Sequence, residues 1–350
     1  MKVMVIGGGG REHAIIRSIK KNPAVEEIFA LPGNGGIALD ATCVDVAAKD
    51  IDGIVRFAVE NKIDYAVVAP DDPLVLGAVD KLNEVGVPCF GPDAKAAIIE
   101  GSKGFAKDLM RRYGIPTAKY EIFTEKEPAL AYLKQGSFPI VIKADGLALG
   151  KGVVIAATLE EAESAINDMM TKKVFGDSGN TVVIEEFLQG PEVSVLCFTD
   201  GKTIAPMVSS MDHKRALDFD QGLNTGGMGT VAPNPYYTKE IADRCMKEIF
   251  LPTIAAMNKE GRTFKGCLYF GLMLTANGPK VIEYNCRFGD PETQVVFINI
   301  PINSAELNLT AHSVKDGKIV TYSGYYDNEA IRDARDKYLE LDPDDCAFDV

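Results

Sequence analysis

Lys2-Val3-Met4-Val5-Ile6-Gly7-Gly8-Gly9-Gly10-Arg11-Glu12-His13 opens the chain with a short apolar run that drops into glycines and leaves them as a polar, helix-forming stretch. A strand entering a glycine turn and then a helix is the first half of a βαβ unit. The pattern continues outward: apolar runs at 28–31 and 65–69 alternate with amphipathic stretches at 12–21, 51–61 and 74–85. That alternation predicts a parallel sheet covered by helices, a Rossmann-like α/β domain over residues 1–101. Gly91-Pro92 and Gly101-Ser102 punctuate its exit, and residues 103–113 read as a helix ended by Gly114-Ile115-Pro116. A second domain is expected from residue 102.

The glycine run sits where free backbone N–H groups and a helix dipole favour an anion, so it is a candidate phosphate cradle. Read as G-x-G-x-x-G from Gly7, its third glycine is replaced by Glu12. The next strand ends in Leu31-Pro32-Gly33-Asn34 with no acid for a ribose, so dinucleotide binding and a dehydrogenase are disfavoured. For any single glycine, service in a tight turn competes with ligand contact.

At 350 residues and 46% apolar content, the chain fits two or three globular domains. Lys plus Arg number 37 against 50 Asp plus Glu, a net charge of −13 that argues against nonspecific nucleic-acid binding and anionic membranes. Anionic ligands would need local positive pockets. The seven cysteines are scattered without C-x-x-C, which indicates neither a zinc site nor a disulfide framework and suits a reducing cytoplasm. No stretch is apolar for long enough to span a bilayer or form a signal peptide, so a soluble cytoplasmic protein is expected.

Apolar runs at 139–143, 153–156 and 181–185, with a helix near 159–172, predict a small α+β lobe. Gly146-Leu147-Ala148-Leu149-Gly150-Lys151-Gly152 is not a P-loop: three residues separate Gly146 from Gly150, and a strand follows. It reads as a hairpin tip able to close over nucleotide phosphates. Lys143, inside an apolar run, needs a partner, and phosphate is the expected one. Glu185-Glu186-Phe187-Leu188 closes a strand and Gly190-Pro191-Glu192-Val193-Ser194 opens another, a linker whose backbone could pair with adenine while Glu192 accepts from ribose hydroxyls. Acids at strand ends are also commonly just solvated. Asp212-His213-Lys214-Arg215 and Asn224-Thr225-Gly226-Gly227-Met228-Gly229 lie in one long polar connection, 209–235, of the kind that carries function. His213 has no second histidine or cysteine at ligand spacing and reads as a hydrogen-bond donor.

Glu283-Tyr284-Asn285-Cys286-Arg287-Phe288-Gly289-Asp290-Pro291-Glu292-Thr293-Gln294 follows a turn and a strand. Side chains two apart share a strand face, so Glu283, Asn285 and Arg287 should point together. A carboxylate and an amide oxygen suit Mg²⁺ or Mn²⁺, and the arginine suits a phosphoryl oxygen. A polar strand end closed by a Gly-Asp-Pro turn is the alternative.

Taken in order, the 7–13 loop, Ser102-Lys103, 143–153, 185–194, Asp212-His213-Lys214, 224–229 and 283–294 resemble the phosphoribosylamine–glycine ligase family, ATP-grasp enzymes of purine biosynthesis. The resemblance covers roughly residues 1–296 and implies an ATP-grasp domain at 102–300 made of two α+β lobes, the smaller at 118–190 bearing the glycine-rich lid. Leu223 and Asp71-Asp72-Pro73 depart from the family pattern. Residues 297–350 depart in length and sequence, so a shortened C-terminal lobe and an atypical acidic segment at 301–350 are expected. The implied reaction is ATP-dependent joining of glycine to 5-phosphoribosylamine through glycyl phosphate, by a monomer or dimer. The implied metal ligands for Mg²⁺ or Mn²⁺ are Glu283 and Asn285. The implied ATP contacts are Lys103, Lys143, Lys151, Glu185, Glu186, Leu188 and Glu192. The implied substrate contacts are Gly9, Gly10, Arg11, Glu12, Asp212, Lys214, Asn224, Gly226, Gly227, Arg287 and Asp290. Arg287, Lys143 and Asp212 carry the catalytic parts. Two other expectations stay open at this point: a different ATP-grasp ligase or biotin-dependent carboxylase component, and an ATP-binding protein without ligase activity.

Overall fold

The computed structural model describes residues 1–147, 152–218, 221–225, 227–298, 308–315 and 318–325. Lys151 and Gly226, both expected at the site, lie outside the described residues, as does the side chain of Asn224.

Strands β1 (Lys2–Gly7), β2 (Glu27–Pro32), β3 (Thr42–Cys43), β4 (Tyr65–Val68) and β5 (Cys89–Phe90) form one parallel sheet in the order β3-β2-β1-β4-β5. Strand periodicity sends Met4 and Ile6 into one apolar core and Val3 and Val5 into another, so β1 is buried on both faces. Helix α1 (Gly10–Ile19) starts just past the end of β1, where the strand order reverses. That is the crevice at which open parallel sheets take ligands. Gly7 turns the chain there at φ +122°, a region a side chain disfavours, and a Cβ would lie 2.6 Å from Glu12 Cγ.

Helices α2 (Ile51–Glu60), α3 (Asp71–Val75), α4 (Ala78–Glu84) and α5 (Ala94–Gly101) complete this part, and α6 (Lys103–Tyr113) follows it. The single helix expected over 74–85 is broken into α3 and α4 by Gly77 at φ +86°. Helix α5 was not foreseen. Ser102 caps α6 by accepting from Phe105 N–H at 3.0 Å, and Gly114 ends it at φ +67°.

Strands β6 (Tyr120–Phe123), β7 (Ile140–Ala144), β8 (Val153–Ala156) and β9 (Val182–Glu186) form an antiparallel sheet in the order β6-β9-β7-β8. Helices α7 (Lys126–Leu133) and α8 (Leu159–Ile166) cover it, the latter running on as a π turn through Asn167–Thr171. Leu133, Ile142, Ile166, Val182 and Ile184 build a core separate from the rest of the molecule.

The larger antiparallel sheet, ordered β11-β10-β16-β17, contains β10 (Glu192–Thr199), β11 (Ile204–Pro206), β16 (Gly266–Thr275) and β17 (Gly278–Asn285). The long polar connection forms short pairs, β12 (Met211–Asp212) with β15 (Thr230–Val231) and β13 (Arg215–Leu217) with β14 (Gln221–Asn224). Helix α9 (Lys239–Cys245) continues through a π turn (Met246–Phe250) into α10 (Leu251–Lys259), and α11 (Glu292–Ile298) follows the 283–294 motif. Phe270 on β16 is fully buried between Phe250 and Tyr284, with ring centroids 4.4 and 5.5 Å away. Burial of such a ring contributes about 3 kcal/mol. Phe270 and Tyr284 share one core with Met4 and Leu82, so the larger sheet and the parallel sheet are packed together. The described backbone ends in an antiparallel hairpin of Asn308–Lys315 with Lys318–Tyr325.

Candidate active site

The end of β17 presents Glu283 and Asn285, with Arg287 in the bend beyond. Tyr284, Cys286 and Phe288 are buried while 283, 285 and 287 are partly open, the alternation expected of one shared face. The ladder with β16 pairs Gly271 with Glu283 but Leu272 with Val281, which leaves Ile282 as a bulge just before the acid. Glycine at 271 leaves room for it: a Cβ there would sit 3.1 Å from Glu283 Cγ.

Among the described residues, the Glu283 carboxylate has no hydrogen-bond or ion-pair partner at contact distance. Burial works against its charge, but Lys214, Lys143, Lys103 and Arg287 outweigh that and hold its carboxyl below the usual range. Asn285 Oδ1 accepts from Arg287 Nη2 at 3.2 Å. A carboxylate and an amide oxygen are hard donors that fit a divalent cation. No cluster of three or more His, Cys, Asp or Glu side chains able to hold a metal is found among the described residues. A cation here would draw its other ligands from phosphate and water, as Mg²⁺ commonly does.

Lys143 is buried, and its partner within the fold is a carboxylate. Glu185 on the neighbouring strand β9 is diagonal to it, since the ladder pairs Val141 with Glu185 and Lys143 with Val183, and places Oε1 at 3.0 Å from Lys143 Nζ and Oε2 at 2.7 Å from Lys107 Nζ. Side-chain exposures of Lys143, Glu185 and Lys107 are 4%, 4% and 3%, so two cations share one anion out of water. Lys143 Nζ also donates to Ile282 O at 3.1 Å, and Lys107 donates to Thr117 Oγ1 at 2.8 Å. Desolvation pushes Lys107 down to about 8, against Glu185. Glu185, expected at the adenine, is therefore engaged with lysines. Glu186 accepts from Lys119 N–H at 3.0 Å and pairs with Lys280 at 2.9 Å.

The start of α6 clips the base of the glycine-rich tip. Asp145 accepts from Ser102 Oγ and Gly104 N–H, both at 3.1 Å, and Lys103 Nζ donates to Gly146 O at 2.5 Å. Burial pulls the Lys103 ammonium down, with Glu283 opposing. Leu188 lies half-buried in the link from β9 to β10, and among the described residues its backbone N–H and C=O have no hydrogen-bond partner.

Lys214 and Glu192 approach to 3.6 Å beside a cleft that Ser194, Tyr269, Gly271 and Glu283 also line. Behind it Tyr269 Oη donates to Glu292 Oε1 at 3.0 Å and meets Ser194 Oγ at 2.7 Å. Asp212 Oδ1 is buried without a hydrogen-bond partner, and a Cβ on Gly227 would lie 2.8 Å from it. Desolvation and the Glu292 carboxylate push Asp212 up to about 6, against Lys214.

At the parallel sheet, Glu12 is 1% exposed and serves the helix: its carboxylate accepts from Gly9 N–H at 2.5 Å and from Arg11 Nε at 2.6 Å. Glu12, expected among the substrate contacts, thus has a structural use of its own, because a capping carboxylate satisfies the orphan donor at the helix start. Asp290 accepts from Arg11 N–H at 3.2 Å and Gln294 Nε2 at 2.7 Å, and side chains on Gly9 or Gly10 would collide with this group. Lys107, Glu100, Tyr269, Glu292 and Asp145 escaped the sequence reading. Only Lys107, one helical turn beyond Lys103, carried a spacing signal.

A small α+β lobe beside a larger antiparallel sheet, with an oxygen-donor pair set among lysines and an arginine, is the arrangement of the ATP-grasp class of ligases. Residues 1–100 match the phosphoribosylglycinamide synthetase N domain and residues 101–293 its ATP-grasp (A) domain. The chain belongs to the phosphoribosylamine–glycine ligase family. It is 50% identical over 322 residues to the ligase of Haemophilus influenzae, covering 91% of this chain and 74% of that one. It is 52% identical over 314 residues to that of Escherichia coli K12, covering 89% and 73%. The crystal structure of the Thermotoga maritima ligase aligns with a TM-score of 0.76 at 30% identity, over 97% of this chain and 96% of that one. A biotin carboxylase domain from Hydrogenobacter thermophilus shares the fold at 16% identity and TM-score 0.65. An alignment over 91% of the chain is longer than residues 1–296, so part of 297–350 is related to the family as well, which corrects the expected limit of the resemblance. Among the described residues, no helix is long and apolar enough to cross a membrane.

Proposed function

We infer that this chain joins glycine to 5-phosphoribosylamine at the expense of ATP, giving glycinamide ribonucleotide, ADP and phosphate. The observation that carries the reading is Glu283, a carboxylate with no contact partner, held ionised by four cations at the end of β17. In the first step a glycine carboxylate oxygen attacks the γ-phosphorus and the bond to ADP breaks. In the second, the amine attacks the glycyl carbon, phosphate leaves, and the amine gives up a proton. A divalent ion held by Glu283 and Asn285, Mg²⁺ or Mn²⁺, would neutralise phosphate charge.

The remaining work falls to side chains of this chain. Lys103 and Lys143 offset the repulsion between a carboxylate and a polyanion, and Arg287 faces the charge that develops on the transferring group. The link at Glu186 and Leu188 pairs with adenine and Glu192 with ribose, while Lys151 on the 144–152 tip helps exclude water from the acyl phosphate. Asp212, Lys214, Asn224, Gly226 and Gly227 place glycine and the amine. Gly9, Gly10, Arg11 and Asp290 surround the sugar phosphate. The division into a Rossmann-like domain to residue 101 and an ATP-grasp domain over 102–300 suits this use, since the two substrates then meet at the seam. An ATP-binding protein lacking ligase activity is not favoured, because the N-domain and ATP-grasp-domain models of the family match in sequence over residues 1–100 and 101–293.

The direct test is ADP release by the purified chain with Mg²⁺, glycine and freshly generated phosphoribosylamine, each omitted in turn. Release that needs both acceptors establishes the ligase; ATP binding without such release overturns it. The same assay reads the proton. If Asp212 accepts it, the working form is the carboxylate, present above about pH 6 and lost below. kcat/KM should fall on the acid side of that value, and Asp212→Asn should remove this limb while lowering kcat about 10²-fold. An unchanged acid limb in the variant would assign the proton to solvent.

A further inference from the structure

The bend that carries Arg287 is held by a residue far away in sequence. Glu100, in the last turn of α5, is 8% exposed. Its Oε2 accepts from Cys286 N–H at 2.7 Å and its Oε1 pairs with Arg287 Nη2 at 3.1 Å. One carboxylate thus grips both the backbone and the side chain of the bend. Arg287 Nη1 donates to Phe288 O at 3.2 Å, an oxygen that also accepts from Arg11 Nη1 at 3.0 Å. The guanidinium is therefore oriented along one edge by Glu100, Asn285 and Phe288, while its Nε is buried without a partner.

We propose that Glu100 is a positioning residue for phosphoryl transfer, fixing Arg287 in the orientation that meets the transferring group. This rests on the part given to Arg287 in the proposed function. An arginine beyond a strand end has many rotamers, and a largely buried guanidinium without a counter-ion is costly. A neutral acceptor at 100 would keep a hydrogen bond but leave the charge unmatched and its direction loose. Glu100 also offsets part of the positive field of Arg287. Losing it therefore spares phosphate attraction while spoiling geometry, which separates kcat from KM. Because Glu100 comes from the helix that closes the parallel-sheet part, the arginine is set jointly by that part and by β17.

The test is a double-mutant cycle in the full chain, with Glu100→Gln, Arg287→Met and the pair, read as initial rates of ADP release with glycine and phosphoribosylamine saturating. Glu100→Gln is expected to lower kcat about 10²-fold, as misplacement of a reacting group does, with KM for ATP within about threefold. In the Arg287→Met background the same change should alter kcat by less than about twofold. Glu100→Asp keeps the charge and loses reach. It is measured alongside and carries the same criterion should Glu100→Gln not fold at the assay temperature. Wild-type kcat in a folded Glu100 variant, or a loss repeated in full without Arg287, overturns the inference. Unchanged kcat in Arg287→Met alone overturns the assignment of Arg287 instead.

Discussion

Glu283→Gln is expected to lower kcat for ADP release about 10²- to 10³-fold, the scale on which single groups stabilising transition-state charge act. The carboxylate stands among Lys214, Lys143, Lys103 and Arg287, so its neutralisation takes away both a hard oxygen ligand and a nearby negative charge. Glutamine preserves shape and one carbonyl oxygen, so the fold should persist and the thermal midpoint should shift little. Manganese binding in the presence of a non-hydrolysable ATP analogue, followed by electron paramagnetic resonance, should weaken about 10- to 100-fold. A variant with activity within threefold of the parent, or with unaltered manganese binding, would remove Glu283 from the metal site.

Glu185→Gln should cost about 3–5 kcal/mol of stability, read as a lower midpoint in denaturant unfolding, because it strands buried charge. Lys107 and Lys143 both rely on this carboxylate, and all three side chains are almost wholly enclosed. Lys107→Met should cost less, since it leaves Glu185 and Lys143 as a balanced pair. Equal midpoints for the two variants would mean that water or a neighbouring group compensates the lysines, contrary to the burial seen here. The contrast also bears on ATP. Lys143 offered to phosphate must be held somewhere in the absence of nucleotide, and Glu185 with Ile282 O holds it.

Local signals served well where a residue acts on its own neighbours. Residues 103–113 read as a helix because a serine precedes it and a glycine ends it, and the strand at 153–156 stands where its β-branched run lies. The reading failed where environment overrode pattern. Helix α5 carries Ala96, Ala97, Ile99 and Glu100 all buried, so it shows no polar face to mark its period. The stretch 74–85 kept a helical period across Gly77, whose left-handed backbone nevertheless splits it. No local pattern marked the structural partners of Glu12, which caps α1, or of Glu185, which is the anion between two lysines.

By itself the sequence determined the class of fold, the family and the oxygen-donor set at 283–287. These depend on spacing along one strand, on turn chemistry and on motif order, all local in the chain. The tertiary structure alone decided which charges meet. Glu100 reaches Arg287 across 187 positions of sequence, Lys107 joins Lys143 through Glu185, and Arg11 and Arg287 share the carbonyl of Phe288. Such pairings follow from how the fold brings distant elements together. An acid's neighbours in a low-dielectric interior are set by that packing and leave no period in the chain.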